Sequence, residues 1–346
     1  MAKHKNLFRP ERRSLFERLL RAGLLLSMLI VIGAAAWLTY FGLTPVKIPR
    51  EARTFEIEPG RSLHSVAAQF ARSGLISDRR SFLLLARIMG AADDVKAGRY
   101  SAGSRATPYR LLDKIVRGEF APVELRFIEG WTFAQLRNEL NAHPSLKHDS
   151  RALSNAQILD HLGIEQESLE GLFFPDTYYF SAGYSDLALL EQAAARMQAK
   201  LQPLWDNRVP GLPVKTSYEA LILASIVEKE TGRSDERAMI AAVFVNRLKR
   251  GMRLQTDPTV IYGLGPNFDG NLRRRDLLAD TRYNTYTRYG LPPTPIAMPG
   301  EGSIRATLNP AQNQVLYFVA RGDGSHQFSV NLVEHNRAVS KFQLKR

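Results

Sequence analysis

The sequence predicts an α+β protein with three parts: a membrane-spanning helix near the amino end, a small βααβ module, and a larger mixed α+β domain. Three observations carry this expectation. Ala22 to Thr44 is a run of 23 residues without a charge. Short alternating apolar stretches and helically spaced apolar residues follow it. The chain, at 346 residues, is long enough for two folded domains behind such a helix. Its 45% hydrophobic and 23% charged content is ordinary for a folded protein. The expected divisions are 1–21, 22–44, 45–124 and 125–346.

The apolar run spans roughly 34 Å as a helix, enough for a hydrocarbon core of about 30 Å. Lys3, Lys5, Arg9, Arg12, Arg13, Arg18 and Arg21 precede it, against Glu11 and Glu17. That basic flank predicts a cytoplasmic amino terminus, with the bulk of the chain on the far side. Trp37 and Tyr40 suit the far interface. Ala34, Ala35 and Ala36 are the small residues a leader cleavage site would need. The apolar run continues past them, which favours an uncleaved anchor.

Phe55 and Ile57 alternate as a short strand, and Pro59-Gly60 turns the chain. Leu63, Val66, Ala67 and Phe70 recur at helical spacing. A second helix is expected over about Ser81 to Met89, a strand over Lys96 to Tyr100, and a helix over Pro108 to Arg117 closed by Gly118. Glu124 to Glu129 reads as a strand and Thr132 as the cap of the next helix. Ser145 to Leu169 is polar and peripheral. Phe173, Phe174, Tyr178, Tyr179 and Phe180 crowd around Pro175-Asp176. Their rings suit either a core or the faces of pyranose sugars. Asp186 to Leu204 is an amphipathic helix. Leu316 to Ala320 and Gln327 to Val330 form a hairpin around Gly322-Asp323-Gly324, and His335-Asn336 falls in a closing helix.

The chemistry concentrates between Tyr218 and Tyr262. A helix is expected from about Ser217 to Thr231. Leu221 to Val227 is apolar on nearly every side, which predicts burial on more than one face. Glu228 and Glu230 end it, and Gly232 is expected to supply a left-handed stop. At about 100° per residue the two carboxylates point to nearly opposite sides. Glu228 stacks over Ala224 and Ser225. Glu230 stacks over Leu223, Ile226 and Val227, and a carboxyl desolvated by such a stripe has a raised pKa, as a general acid needs. Ser234 is expected to cap the following helix, with Arg247, Lys249 and Arg250 near its carboxy end, favourable to the dipole. The stretch Arg253 to Tyr262 reads as a polar loop offering Gln255, Thr256, Asp257 and Tyr262, and Asp257-Pro258 also suits a helix-capping turn. Asn284 and Tyr286 sit in a proline-rich segment that cannot be regular and makes a plausible cleft wall.

The absence of cysteine excludes a disulfide framework, a thiolate metal site and a cysteine nucleophile. The 7 histidines are scattered without metal-ligand spacing, so no metal and no cofactor is expected. A net charge of +13 points to an acidic partner. No nucleic-acid motif is present, which leaves an anionic polymer or lipid surface.

The blocks LASIVEKE, FVNRLKRGMRLQTDPTVIYGLG, YNTYTRYGLPPTPIAMPG and HQFSVNLVEHN, in that order, resemble the endolytic murein transglycosylase family (MltG, or YceG-like). The βααβ cycle, more weakly, resembles a LysM-like glycan-holding module. The first resemblance implies an enzyme that cuts inside nascent peptidoglycan strands at the β-1,4 bond from N-acetylmuramic acid to N-acetylglucosamine. It leaves 1,6-anhydro ends and thereby terminates strand elongation. The family's catalytic glutamate falls in the EKE triplet and aligns with Glu230, the residue the helix-face geometry also favours. Glu228, Gln255, Thr256, Asp257, Tyr262, Asn284, Tyr286 and His326 are then the expected substrate-binding residues. The implied setting is the inner membrane, crossed once, with the catalytic domain in the periplasm. The implied partners are glycan strands and peptidoglycan synthases. Two alternatives stay open. One is a catalytically silent, membrane-anchored glycan-binding scaffold. The other is a hydrolase with Asp257 as second carboxylate.

Overall fold

A computed structural model describes residues 15–91 and 94–344. The basic residues Lys3 to Arg13 lie outside the described residues. The chain divides into two compact units, one ending at Ala121 and the other beginning at Pro122.

The first unit opens with α1 (Leu15–Leu43), in which Arg18–Leu43 is long and apolar enough to cross a membrane. Arg18 to Ala36 are exposed, as are Trp37 and Tyr40. Leu38 and Phe41 are not: they are buried in the core of the module that follows. That module contains β1 (Val46–Lys47), β2 (Thr54–Ile57), α2 (Leu63–Arg72), α3 (Arg79–Ile88), β3 (Gly98–Ser101), β4 (Arg105–Ala106) and α4 (Pro108–Arg117). Strand β2 pairs antiparallel with β3, and β1 with β4. Each helix starts where a side chain can take an orphan backbone N–H. Ser62 accepts from Ser65, Asp78 from Ser81 and Thr107 from Arg110. Gly118, at φ 73°, ends α4 in the left-handed region that only glycine enters freely. Phe55, Phe70, Phe82 and Tyr100 interlock at the centre with ring centroids 4.8 to 5.6 Å apart.

The second unit is built from β5 (Val123–Arg126), α5 (Phe133–Ala142), β6 (Leu146–Lys147), α6 (Asn155–His161), β7 (Thr177–Phe180), β8 (Tyr184–Ser185), α7 (Asp186–Asp206), α8 (Ser217–Glu230), α9 (Arg237–Lys249), α10 (Asp257–Leu264), α11 (Arg274–Leu278), α12 (Glu301–Leu308), β9 (Tyr317–Ala320), β10 (His326–Ser329) and α13 (Leu332–Phe342). Its strands form two-stranded ladders: β5 with β7 and β9 with β10 antiparallel, β6 with β8 parallel. Helix α8 is the axis of this unit. Ala220 through Val227 are all buried, and α7, α9, α10 and α12 pack around it. A helix apolar on every side has no other stable place.

The aromatic cluster resolves in favour of the core. Phe173, Phe174, Tyr178 and Phe180 are buried, and the Tyr178 hydroxyl donates to Phe174 O at 2.6 Å. Tyr179 alone points outward, because it falls on the opposite side of β7. Replacing Phe173 with Ala should therefore cost about 3–5 kcal/mol. Tyr179→Ala should stay within about 0.5 kcal/mol. Urea unfolding of the two variants measures both. A large loss at Tyr179 would contradict the packing described.

Candidate active site

Thr216 caps α8 by accepting from Glu219 N–H, and the helix runs to Glu230. The expected left-handed stop at Gly232 is not what ends it. Thr231 swings to an extended conformation (φ −147°, ψ 132°), and its hydroxyl accepts from Arg233 N–H at 3.0 Å. Gly232 has no left-handed φ. A left-handed residue would fold the chain back along α8, whereas an extended one leads it away into α9.

The two glutamates at this end go to different places. One Glu228 oxygen accepts from Gly300 N–H at 3.0 Å and from Ser303 Oγ–H at 2.6 Å, both in the first turn of α12. The other lies 3.8 Å from the Arg237 guanidinium. The Glu228 side chain is only 7% exposed. It acts as a clamp, placing negative charge on a helix amino terminus, where the dipole favours it. Glu230 turns the other way. It is half-buried, accepts a hydrogen bond from the Thr256 hydroxyl, and lines a cavity of about 500 Å³. Burial of its carboxyl pushes the pKa above the ordinary 4.5, and the nearby Asp257 charge adds to this. The Thr256 hydrogen bond, His326 and Arg247 pull in the opposite direction without winning.

The second wall is the segment expected to be a loop from Arg253 to Tyr262. From Asp257 onward it is helix α10 instead. Pro258 falls in the first turn, where its missing N–H costs nothing, and Thr259 and Val260 are buried. Just before it, Gln255 has φ 49°, the only non-glycine in the left-handed region among the described residues. Thr285 holds it there: its carbonyl accepts from Gln255 N–H and its hydroxyl from Thr256 N–H, each at 3.1 Å. Such a conformation costs on the order of 1–3 kcal/mol and persists only where surroundings enforce it. Its effect is to aim Thr256 at Glu230. Asp257 accepts from the Tyr286 hydroxyl at 2.6 Å. Asn284 is fully buried. Its amide donates to the carbonyls of Asp276, Leu277 and Ala279, while its Oδ1 accepts from Tyr286 N–H, so it shapes the loop that presents Tyr286.

The third wall joins α9 to the closing hairpin. Arg247 is 7% exposed rather than lying free at the helix end. Its guanidinium donates to Leu316 O at 2.7 Å and Leu254 O at 2.6 Å and sits over the Tyr317 ring. Desolvation lowers its pKa, from a value so high that the charge remains. Ser234 does not cap α9. Glu236 stands at that position, and its carboxylate reaches instead to His326, accepting from the backbone N–H at 3.0 Å and meeting Nδ1 at 2.7 Å. Burial opposes ionisation of Glu236, but these bonds from His326 outweigh it and hold its pKa down. His335 of α13 completes the wall, stacked on Tyr317, with its pKa lowered by burial and then by Arg247.

Glu230, Gln255, Thr256, Asp257, Tyr286 and His326 thus line one cavity. Three expected residues do not. Glu228 is taken by α12, Asn284 by its own loop, and Tyr262 faces a different cavity, where its hydroxyl donates to Glu170 at 3.0 Å. The sequence placed Arg247 only near the carboxy end of α9 and His335 only in a closing helix, and it did not single out Glu236 or Tyr317. Arg247 left a further trace there, standing one turn beyond Val243 and Phe244 on the face that α9 buries. Among the described residues no three histidine, cysteine, aspartate or glutamate side chains are placed to hold a metal ion.

A half-buried carboxyl of raised pKa, fixed by a hydroxyl and set among a guanidinium, an imidazole and phenols, is chemically suited to proton transfer on a polar substrate. The sequence model of the YceG-like family matches residues 55–341, and the chain belongs to that family. It is 29% identical over 336 residues to the endolytic murein transglycosylase of Bacillus subtilis, covering 90% of this chain and 91% of that one. It is 26% identical to the protein of the same name from Streptococcus pneumoniae strain D39, covering 91% of this chain and 64% of that one. A yceG-like protein of Listeria monocytogenes, known from its crystal structure, matches with a TM-score of 0.53 at 28% identity. That match covers 85% of this chain and 98% of that one.

The raised pKa has a sign that stability can read. A carboxyl whose folded pKa lies above its unfolded value favours the fold below the unfolded pKa and loses that contribution as pH rises through the folded pKa. Glu230→Gln should therefore leave Tm unchanged at acid pH and raise it at neutral pH and above. Glu228→Ala should lower Tm at neutral pH, through a stability loss of about 1–3 kcal/mol for lost charged hydrogen bonds. Thermal melts of both variants across pH check the assignment.

Proposed function

We propose that the chain is a membrane-anchored lytic transglycosylase that cuts within peptidoglycan strands, with Glu230 as its single acid and base. The enzyme class follows the relatives, which bear the name endolytic murein transglycosylase. The observation supporting the residue is the burial of the Glu230 carboxyl against Thr256 in the polar cavity.

The reaction needs one protonated carboxyl. Glu230 donates its proton to the glycosidic oxygen of the departing N-acetylglucosamine as the bond to C1 of N-acetylmuramic acid breaks. The sugar's own N-acetyl group supports the positive charge at C1. The Glu230 carboxylate then takes the proton from the C6 hydroxyl as that oxygen closes on C1. The result is a 1,6-anhydro ring, and no water is consumed. Arg247 offsets the carboxylate charge between the two transfers, and the Thr256 hydroxyl keeps the carboxyl oriented. Gln255, Asp257, Tyr286 and His326 offer donors and acceptors to the strand.

In this reading residues 1–21 are cytoplasmic, the apolar helix of 22–44 crosses the inner membrane with its last turns, at Leu38 and Phe41, packed into the module beyond it, and 45–124 form that LysM-like module, which helps hold glycan. Residues 125–346 work in the periplasm, beside the synthases whose strands they cut. Asp257 sits in the same cavity as Glu230, which supports one competing reading, hydrolysis with Asp257 as the second carboxylate.

Incubating the protein with purified wall material and weighing the released ends decides among these. Anhydro ends lack one water relative to hydrolysed ends. Glu230→Gln should abolish release with the fold intact. In the wild type, activity should fall as pH rises through the raised pKa, since the acid must start protonated. Reducing ends would favour hydrolysis, and an active Glu230→Gln protein would remove the residue from its role.

A further inference from the structure

A second cavity, of about 740 Å³, lies beside the first. Lys229 lines it while Glu230 lines its neighbour, and Pro258 lines it while Asp257 lines the other. The end of α8 and the first turn of α10 therefore form a shared wall. Most of its surface is apolar, from side chains such as Ile261, Pro266, Phe268 and Ile296. Two charges of opposite sign break that surface. The Lys229 side chain is exposed, with Nζ donating to Gly130 O at 3.2 Å. The Glu170 carboxyl is buried, on a residue only 4% exposed.

Glu170 is placed with care. Gly171 follows it at φ 75°, where a side chain would also collide with Pro295. Its oxygens accept from Phe133 N–H at 3.0 and 3.2 Å and from the Tyr262 hydroxyl at 3.0 Å. No lysine or arginine forms an ion pair with it among the described residues. Buried carboxylates are ordinarily paired with a cation. Here no cation touches it, Lys229 acting only through its field, and the group opens onto a cavity. Burial raises its pKa to about 7 despite the hydrogen bonds, so it ionises readily when a cation arrives.

We propose that this cavity binds the stem peptide of an uncrosslinked murein strand, with the free side-chain amine of the stem on Glu170 and a stem carboxylate on Lys229. The proposal rests on the reading of the Glu230 cavity as the site of strand cleavage. The occupant must carry an ammonium, a carboxylate and an apolar body, which a short peptide does. A neutral N-acetylated sugar would leave both charges unused. Crosslinking turns that amine into an amide and removes its charge. The cavity would then distinguish uncrosslinked strands from crosslinked ones while the adjoining cavity holds the sugar to be cut.

The test needs no turnover. Two soluble stem peptides, one with its side-chain amine free and one with it acetylated, are titrated into the full chain in detergent and followed by calorimetry. A charge-assisted hydrogen bond in a buried setting should make the free amine bind about tenfold more tightly. Glu170→Gln, which keeps an acceptor for Phe133 and Tyr262, should bring that ratio to about one. Equal binding of the two peptides to the wild type, or no binding of either, overturns the proposal whether or not the variant folds. So does a stem-free disaccharide whose binding is weakened by Glu170→Gln. Strand cleavage is scored separately. If the amine preference stands while no strand is cut, the reading of the Glu230 cavity fails and the peptide site remains.

Discussion

The carboxylate of Glu228 on the amino terminus of α12 is the contact from which the arrangement of the Glu230 cavity follows. Helix α8 is buried along its body, and apart from the Ser225 hydroxyl, which accepts from Ile296 N–H, its rotation about its own axis is set there by apolar packing, which tolerates small adjustments. The bonds to Gly300 N–H and Ser303 Oγ remove that tolerance. With Glu228 fixed on one side, a residue two positions later must face nearly the opposite direction. Glu230 therefore meets Thr256, and the strained Gln255 brings Thr256 to it. A charge that would be costly at the end of a buried helix becomes the means of aiming its neighbour.

Around Glu230, desolvation outweighs the neighbours that favour the carboxylate. A guanidinium close by would ordinarily ionise a carboxyl. Arg247, however, spends its donors on the carbonyls of Leu316 and Leu254 and its face on Tyr317. It supplies a positive field without a direct bond. The same field suits the group in its other state, after a proton has left. In the proposed reaction Glu230 is neutral at one step and ionised at the next, and a cation held at a distance serves both states.

Much of the fold could be read in advance because its signals are local. Thr107, Thr132 and Thr216 mark helix starts through their own side chains, Gly118 marks an end, and the hairpin of β9 and β10 follows from its glycines. The errors arose where a local signal had two meanings. Asp257-Pro258 suits a turn or a helix start, and the burial of Thr259 and Val260 selects the helix. Ser234 resembles a cap, yet the helix begins later because Glu236 is drawn to His326. Helix α12 was not foreseen at all, since its amino terminus is satisfied by Glu228 rather than by a capping residue of its own. The site itself was legible only in part. Glu230, Thr256 and Asp257 belong to one short stretch, but Glu236 meets His326 across 90 residues and Tyr262 meets Glu170 across 92. No spacing in a single chain announces such encounters.

The burial of Leu38 and Phe41 in the small module has a mechanical meaning. The last turns of α1 are not a tether on which the module swings; they are part of its interior. Trp37 Nε1 reaches Ser81 at 3.4 Å and strengthens the same joint. A tilt of the helix in lipid would pass directly into a tilt of the module, as a handle turns a blade. Changes in bilayer thickness, which alter the tilt of a spanning helix, would then register as changes in the orientation of a folded surface rather than being absorbed by slack chain.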